Sequence, residues 1–401
     1  MRAWQRNANK QQKEFNIFFS EEASLKEHDT AFSPPRVLTI LPHKERFSPQ
    51  EAGAISLLVR RMILPGEYVV GHKPTYPVFK NIPFIPTPKT FSFFGERDRY
   101  IRAVRRIVQN NLPHLVEVHN LPDMALDLCR TFPYLPIVLV LHNDPCTMRS
   151  IRTPTQREKL AQKITVVAVS NWIRDRFLSQ NTHAFVTVLP NSLDFSEIPS
   201  PAKTRDPILL YVGRIVADKG VDTFVAACNR LLPHYPQWQG IMIGTNGFGI
   251  HLQTSTPFLQ NLLPKAQAAG IQIRGFQPHA SVLQSMSKAA IVVVPSRWEE
   301  PFGMVALEAM ACGAALITTR CGNLPSVAGE AALYVDNPDD PTELATHIEH
   351  LINDHTLLKH YAQAGLKRAR LFDSHTMRLQ RQHLHKEIIQ NFKTSPSRTT
   401  S

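Results

Sequence analysis

Residues 291–322 read IVVVPSRWEEPFGMVALEAMACGAALITTRCG, and this stretch restricts the chain to few architectures. Ile291-Val292-Val293-Val294 is a short β-branched apolar run, the pattern of a strand buried on both faces. Pro295-Ser296 ends it. From Met304 to Cys312 the apolar residues recur at helical spacing, and Gly313 is a natural stop. Ala314 to Thr318 is a second apolar run. Strand, loop, helix and strand in that order build a parallel sheet. Such sheets bind ligands at the carboxyl ends of their strands.

The loop carries the chemistry. Glu300 precedes the predicted helix and Glu308 lies inside it. The first N–H groups of a helix have no acceptor within it. Those of Gly303, Met304 and Val305, with the helix dipole, therefore offer a seat to an anion. Gly303 lets a phosphate approach the backbone closely. One phosphate seat flanked by two carboxylates that accept hydroxyl groups suits a nucleotide sugar.

With Glu300 and Glu308 as a Glu-x7-Glu pair, the segment EPFGMVALEAMACG and the later CGNLPSVAG, this stretch resembles the retaining glycosyltransferases of family 4. The resemblance implies the GT-B fold, an α/β architecture of two facing, doubly wound Rossmann-like domains with a C-terminal helix returning to the first. It implies that Glu300 touches the transferred sugar and Glu308 the nucleotide ribose. Gly213-Arg214 and Lys219-Gly220, after a strand expected at 208–212, match a GR-x4-KG pattern whose cations clamp the donor pyrophosphate. Charge points the same way: a diphosphate beside two carboxylates needs cations, arginine for bidentate contact and lysine as a point charge. The resemblance also places a donor-side histidine at His142, which follows the strand expected at 137–141; His119 is a weaker candidate. Gly53, in the first strand–helix loop, and Gly244, at the end of the strand expected at 241–244, are further candidates for donor contact. At the first loop Ala52 stands where the family usually has another glycine.

The expected organisation has a polar, disordered leader over 1–35, an acceptor-side domain over 36–195 and a linker over 196–207. A nucleotide-sugar domain follows over 208–373, then a helix over 374–394 that packs on the first domain, and a tail over 395–401. The segment 65–95, rich in proline and in Phe79, Phe84, Phe91, Phe93 and Phe94, reads as a structured loop with short strands.

At 401 residues, two domains are expected. No apolar run reaches the roughly 18 residues of a membrane span. Five scattered cysteines suit a reducing cytoplasm better than a disulfide framework. The net charge of +12 suits anionic partners. No nucleic-acid module is recognisable, so nucleic acid is not expected as a partner. Arg99, Arg102, Arg105 and Arg106, with Arg60 and Arg61, suggest a basic face for peripheral contact with an anionic membrane.

The expected enzyme, by resemblance, is a retaining glycosyltransferase of hexosyltransferase type. It takes a nucleotide sugar as co-substrate and a glycan or lipid-linked acceptor, in cell-surface polysaccharide or lipopolysaccharide synthesis. Arg214, Lys219, Glu300 and His142 are its expected catalytic set, and no metal or other cofactor is expected. A nucleotide-sugar epimerase or hydrolase on the same fold stays open, as does a non-catalytic nucleotide-sugar binder.

Overall fold

Runs of β-branched and aliphatic residues pair here as buried parallel strands. The computed structural model describes residues 35–88, 95–202, 204–247 and 256–394. The expected leader up to Pro34, the tail over 395–401, and Phe91, Phe93 and Phe94 lie outside the described residues. The first sheet has seven strands: β1 (Val37–Ile40), β2 (Tyr68–His72), β3 (Phe84–Thr87), β4 (Leu115–His119), β5 (Ile137–Leu141), β6 (Thr165–Ala168) and β7 (Val186–Val188). Their spatial order is β3-β2-β1-β4-β5-β6-β7, and every pairing is parallel. The second sheet has six: β8 (Asp206–Val212), β9 (Gln239–Ile243), β10 (Gln272–Ile273), β11 (Ala289–Val294), β12 (Ala315–Thr319) and β13 (Ala332–Val335). Their order is β10-β9-β8-β11-β12-β13, again all parallel.

Both sheets reverse their winding once, between β1 and β4 in the first and between β8 and β11 in the second. A crevice opens at the carboxyl end of such a switch point, because the flanking connections run to opposite faces. The register sets Val293 beside Tyr211 at the second switch, so the loops that leave β8 and β11 emerge side by side. β4, β5, β11 and β12 are buried along their whole length. That explains their nearly unbroken apolar sequences, since helices cover both faces of a parallel sheet.

The 65–95 segment holds more regular structure than its composition suggests. β2 and β3 join the sheet in register. β3 is the edge strand, which is where proline is tolerated, and Pro86 sits in it. After the second sheet the chain returns to the first. Leu193 N donates to Phe372 O and Ser374 N to Leu193 O, each at 2.8 Å. The helix Ser374–Thr394 then lies on the first domain and buries Met377, Arg381 and His385. No described helix is long and apolar enough to cross a membrane.

Three of the six arginines of the expected basic face carry acidic partners. Arg60 and Arg61 pair with Glu197, Arg61 is buried, and Arg105 pairs with Asp127. That face is therefore less basic than the sequence suggests.

Candidate active site

One cleft of about 240 Å³ is lined by the switch-point loops of the second sheet and, from the first domain, by the start of the helix Ala54–Met62 and the chain after β5 and β7. The second domain supplies Gly213, Lys219, Ser296, Glu300 and the segment Pro301–Val305; the first supplies Ala54, Ile55, Leu58, His142, Asn143 and Asn191. Four expected positions thus come together: His142, Lys219, Glu300 and the helix start at Gly303–Val305.

Short-range chemistry fixes the Glu300 loop. The Lys219 ammonium donates to Glu300 Oε1 at 2.6 Å, and Ser296 Oγ donates to the same oxygen at 3.0 Å. Arg297 N and Trp298 N both bond Asp218 O. Arg297 forks onto the Asp222 carboxylate at 2.6 and 3.0 Å. The loop after β11 is thereby tied to the loop after β8, and Lys219 and Glu300 are carried as one unit. From below, Gly322 N bonds Glu299 Oε2 at 2.6 Å and Asn323 N bonds Glu300 O at 2.8 Å, so the CGNLPSVAG segment forms the floor of the loop. From the first domain, Ser170 Oγ donates to Pro301 O at 2.6 Å, which joins the two domains at the cleft.

Gly303 has a φ of +102°, and a Cβ there would meet Leu324 Cδ2 at 2.8 Å. A side chain at this position is strained on both counts. The helix Met304–Ala311 starts immediately after it, with Leu307 N bonding Gly303 O. The earlier N–H groups have no acceptor in the helix and form part of the cleft wall.

The other expected residues stand apart from the wall. Glu308 is buried and accepts from or shares a proton with His279 Nε2 at 2.8 Å. Arg214 is not among the lining residues; its carbonyl accepts from the Tyr211 hydroxyl at 2.7 Å. Gly244 has a φ of +144°, and a Cβ there would lie 1.8 Å from Gly213 O. Its place is beneath the Gly213 turn. Gly53 meets the Glu45 carboxylate, which also accepts from Ser56 N at 3.1 Å. The helix Ala54–Met62 therefore has a protein carboxylate at its start, where an anion would otherwise sit.

The partners of His142 are not legible along the chain. Its Nε2 lies 2.8 Å from His119 Nδ1, and His119 Nε2 lies 2.8 Å from Glu117 Oε1. Glu117 also contacts Arg381 and His385 of the last helix. Burial alone would raise the Glu117 carboxyl, but the Arg381 guanidinium and hydrogen bonds from His119 and His385 hold it well below the usual carboxylate range. Burial and the neighbouring His119 push the His142 imidazole well below its ordinary value of 6.5, against the pull of Glu117. His43 and His72 are lowered as well, chiefly by burial.

These shifts have a consequence for acid stability. As the pH falls through about 6.5, all three histidines take up protons in the unfolded chain before they do in the folded one, so acid favours unfolding. The Glu117 contribution is fully present above the ordinary carboxylate value and is lost only as the pH falls through its depressed folded value. The melting temperature is thus expected to drop between pH 7.5 and 5.5 and to drop further as the pH falls below 4.5. A melting temperature that stays level between pH 7.5 and 5.5 contradicts the neutral-histidine assignment.

Two sheets of this order, facing each other across a cleft with a cation, a carboxylate and a helix start, define the GT-B class of glycosyltransferase fold. Residues 194–368 match the family model of the glycosyl transferases group 1. This part of the chain is similar to the group 1 glycosyltransferases. The chain is 31% identical over 194 residues to a glycogen synthase of Mycobacterium tuberculosis, a match covering 46% of this chain and 44% of that protein. The chain thus spans about half the length of the curated relatives it matches. Among solved structures, sucrose-phosphate synthase from Thermosynechococcus elongatus superposes with a TM-score of 0.71 at 20% identity, over 89% of this chain and 99% of that one. Anabaena HepE, solved with UDP and glucose, superposes with a TM-score of 0.70 at 19% identity, over 88% and 99%. At these identities the two structures bear on the fold.

Proposed function

We propose that the chain transfers a sugar from a nucleotide-sugar donor to a hydroxyl of a glycan or lipid-linked acceptor, with retention of anomeric configuration, in the assembly of a cell-surface polysaccharide or lipopolysaccharide. One observation carries this reading: Lys219, Glu300, the Gly303–Val305 helix start and His142 share one cleft between the two domains. Lys219 and the helix-start N–H groups take the donor diphosphate, and Arg214 of the same loop adds its charge. Glu300 faces the sugar. Glu308, with one oxygen on His279, offers the other to the ribose.

No residue reads as a dedicated nucleophile. The route that fits is same-face displacement. The acceptor oxygen bonds the anomeric carbon as the bond to the diphosphate breaks, and the leaving phosphate oxygen takes the acceptor proton. Electrostatic support of the departing diphosphate is then the largest catalytic contribution, and alignment of donor and acceptor between the domains adds to it.

A thermal-shift screen of UDP-, GDP-, ADP- and dTDP-sugars tests the reading, since a ligand that binds only the folded state raises the melting point. Product analysis with and without a glycan acceptor follows. Acceptor-dependent release of diphosphate with a new glycosidic bond supports transfer; sugar release or isomerisation alone overturns it in favour of a hydrolase or epimerase. Glu308→Gln is expected to raise the donor KM with little change in kcat, because a ribose contact is equal in ground and transition states. Steady-state kinetics on one donor–acceptor pair checks this, and a loss confined to kcat removes Glu308 from the ribose.

A further inference from the structure

A chain of buried ionisable groups runs from the last helix to the cleft. Glu117 and His119 are two residues apart on β4, so their side chains share one face of the sheet. The register pairs His119 with Val140 of β5; His142, two residues beyond Val140, falls on that same face. Glu67, Glu117, His119, His142, Arg381 and His385 are all less than a tenth exposed. Arg381 donates to Glu67 at 2.8 Å and to Glu117 at 3.0 Å. His385 Nε2 lies 2.8 Å from Glu117 Oε2.

Hydrogen-bond polarity can be followed along this chain. An ionised carboxylate only accepts, so the nitrogen of His119 that faces Glu117, Nε2, carries a proton. A neutral His119 then has a lone pair on Nδ1, and the bond to His142 is made by the His142 Nε2 proton. That leaves His142 Nδ1 without a proton. This atom is buried and has no hydrogen-bond partner among the described residues, and its ring lies in the wall of the cleft. The ring nitrogens of His385 face two carboxylates, Glu117 at 2.8 Å and Glu67 at 3.9 Å. His119 faces only one carboxylate and another imidazole.

We infer that Glu117 and His119 are positioning residues that set the tautomer of His142, so that its bare Nδ1 accepts a hydrogen bond from a hydroxyl of the sugar in the cleft. Arg381 and His385 hold Glu117 in place, which makes the last helix part of the active site's support. The tautomer follows from the protein alone. The sugar hydroxyl rests on the transferase reading above.

The first experiment needs no ligand. Nitrogen NMR of the full chain with 15N-histidine, assigned with His142→Phe, reads which nitrogen of His142 is protonated. The expected result at pH 7 is a protonated Nε2 and a bare Nδ1 in the wild type, and a mixture of tautomers in His119→Phe. A wild-type His142 that is protonated on Nδ1, or is already a mixture, overturns the inference whatever becomes of the His119 variant. The second experiment compares UDP and UDP-glucose as probes, with whichever donor the thermal-shift screen selects added to the pair. His119→Phe is expected to leave the affinity for the free diphosphate unchanged and to lower kcat/KM for the donor by about 10- to 100-fold, by analogy with the loss of a group that orients a metal-bound imidazole. Should that variant not fold, Glu117→Gln replaces it with the same expectation. Unchanged kcat/KM alongside a changed tautomer overturns the hydroxyl contact. Failure of every diphosphate to bind the wild type counts against the transferase reading and leaves the tautomer result standing.

Discussion

Replacing Glu300 by glutamine is expected to lower kcat by a factor of about 100 or more, while the affinity for free nucleoside diphosphate holds or improves. The substitution keeps the shape of the side chain and can keep the Ser296 contact at Oε1. What it removes is the negative charge, and a charge that acts where the transition state develops its own counts mainly in kcat. The opposite sign on binding follows from the ion pair with Lys219 at 2.6 Å. In the wild type, Lys219 divides itself between Glu300 and an incoming phosphate; in the variant it is free for the phosphate. Steady-state kinetics with diphosphate inhibition constants separates the two effects. Near-normal turnover in Glu300→Gln means that the reaction takes place elsewhere.

Arg381→Leu is expected to cost about 3–5 kcal/mol of stability, the range for removing one partner from a buried ion pair. Arg381 is 2% exposed, with Glu67 at 3% and Glu117 at 4%. The substitution leaves two carboxylates in the interior with only the imidazoles of His385 and His119 to oppose them. It also loosens the last helix from the first domain, since Arg381 Nη1 donates to Met62 O as well. Urea midpoints and melting temperatures report the loss. Restoring stability with Glu67→Gln and Glu117→Gln in the Arg381→Leu background is the matching expectation, because the penalty comes from the unpaired charges. A loss below about 1 kcal/mol, typical of an exposed pair, contradicts this account of the helix.

The parallel strands were legible because a strand buried on both faces is written as an apolar run. The strand expected at 137–141 is Ile137–Leu141, and the helix expected from Met304 starts there. Two helices of the first domain carried weaker signals. Pro154–Ala161 has almost no apolar stripe, and its sign is the capping box in which Thr153 and Gln156 bond each other's backbone. Pro122–Thr131 opens on a proline at its first turn, a start signal that is easily taken for a loop. At the site, local motifs were readable and long-range partners were not. Glu300 and Gly303 sit in one short segment whose spacing already states the geometry. The Arg381–Glu117 and Arg381–Glu67 contacts join residues 264 and 314 positions apart, and no periodicity along the chain encodes such a meeting. Gly53 illustrates the reverse case. Its position in the first strand–helix loop suggested donor contact, but the nearby Glu45 carboxylate occupies that helix start.

Calorimetric titration of nucleoside diphosphates into the wild type and Lys219→Ala tests most directly whether the cleft is a diphosphate site. Lys219 is the cation that reaches Glu300 across the seat, and losing a charge-assisted bond to phosphate costs about 1.5–3 kcal/mol. The account predicts that one diphosphate binds the wild type and binds Lys219→Ala more weakly by about 10- to 150-fold, with the melting temperature of the ligand-free variant little changed. Equal affinity in the two proteins contradicts it.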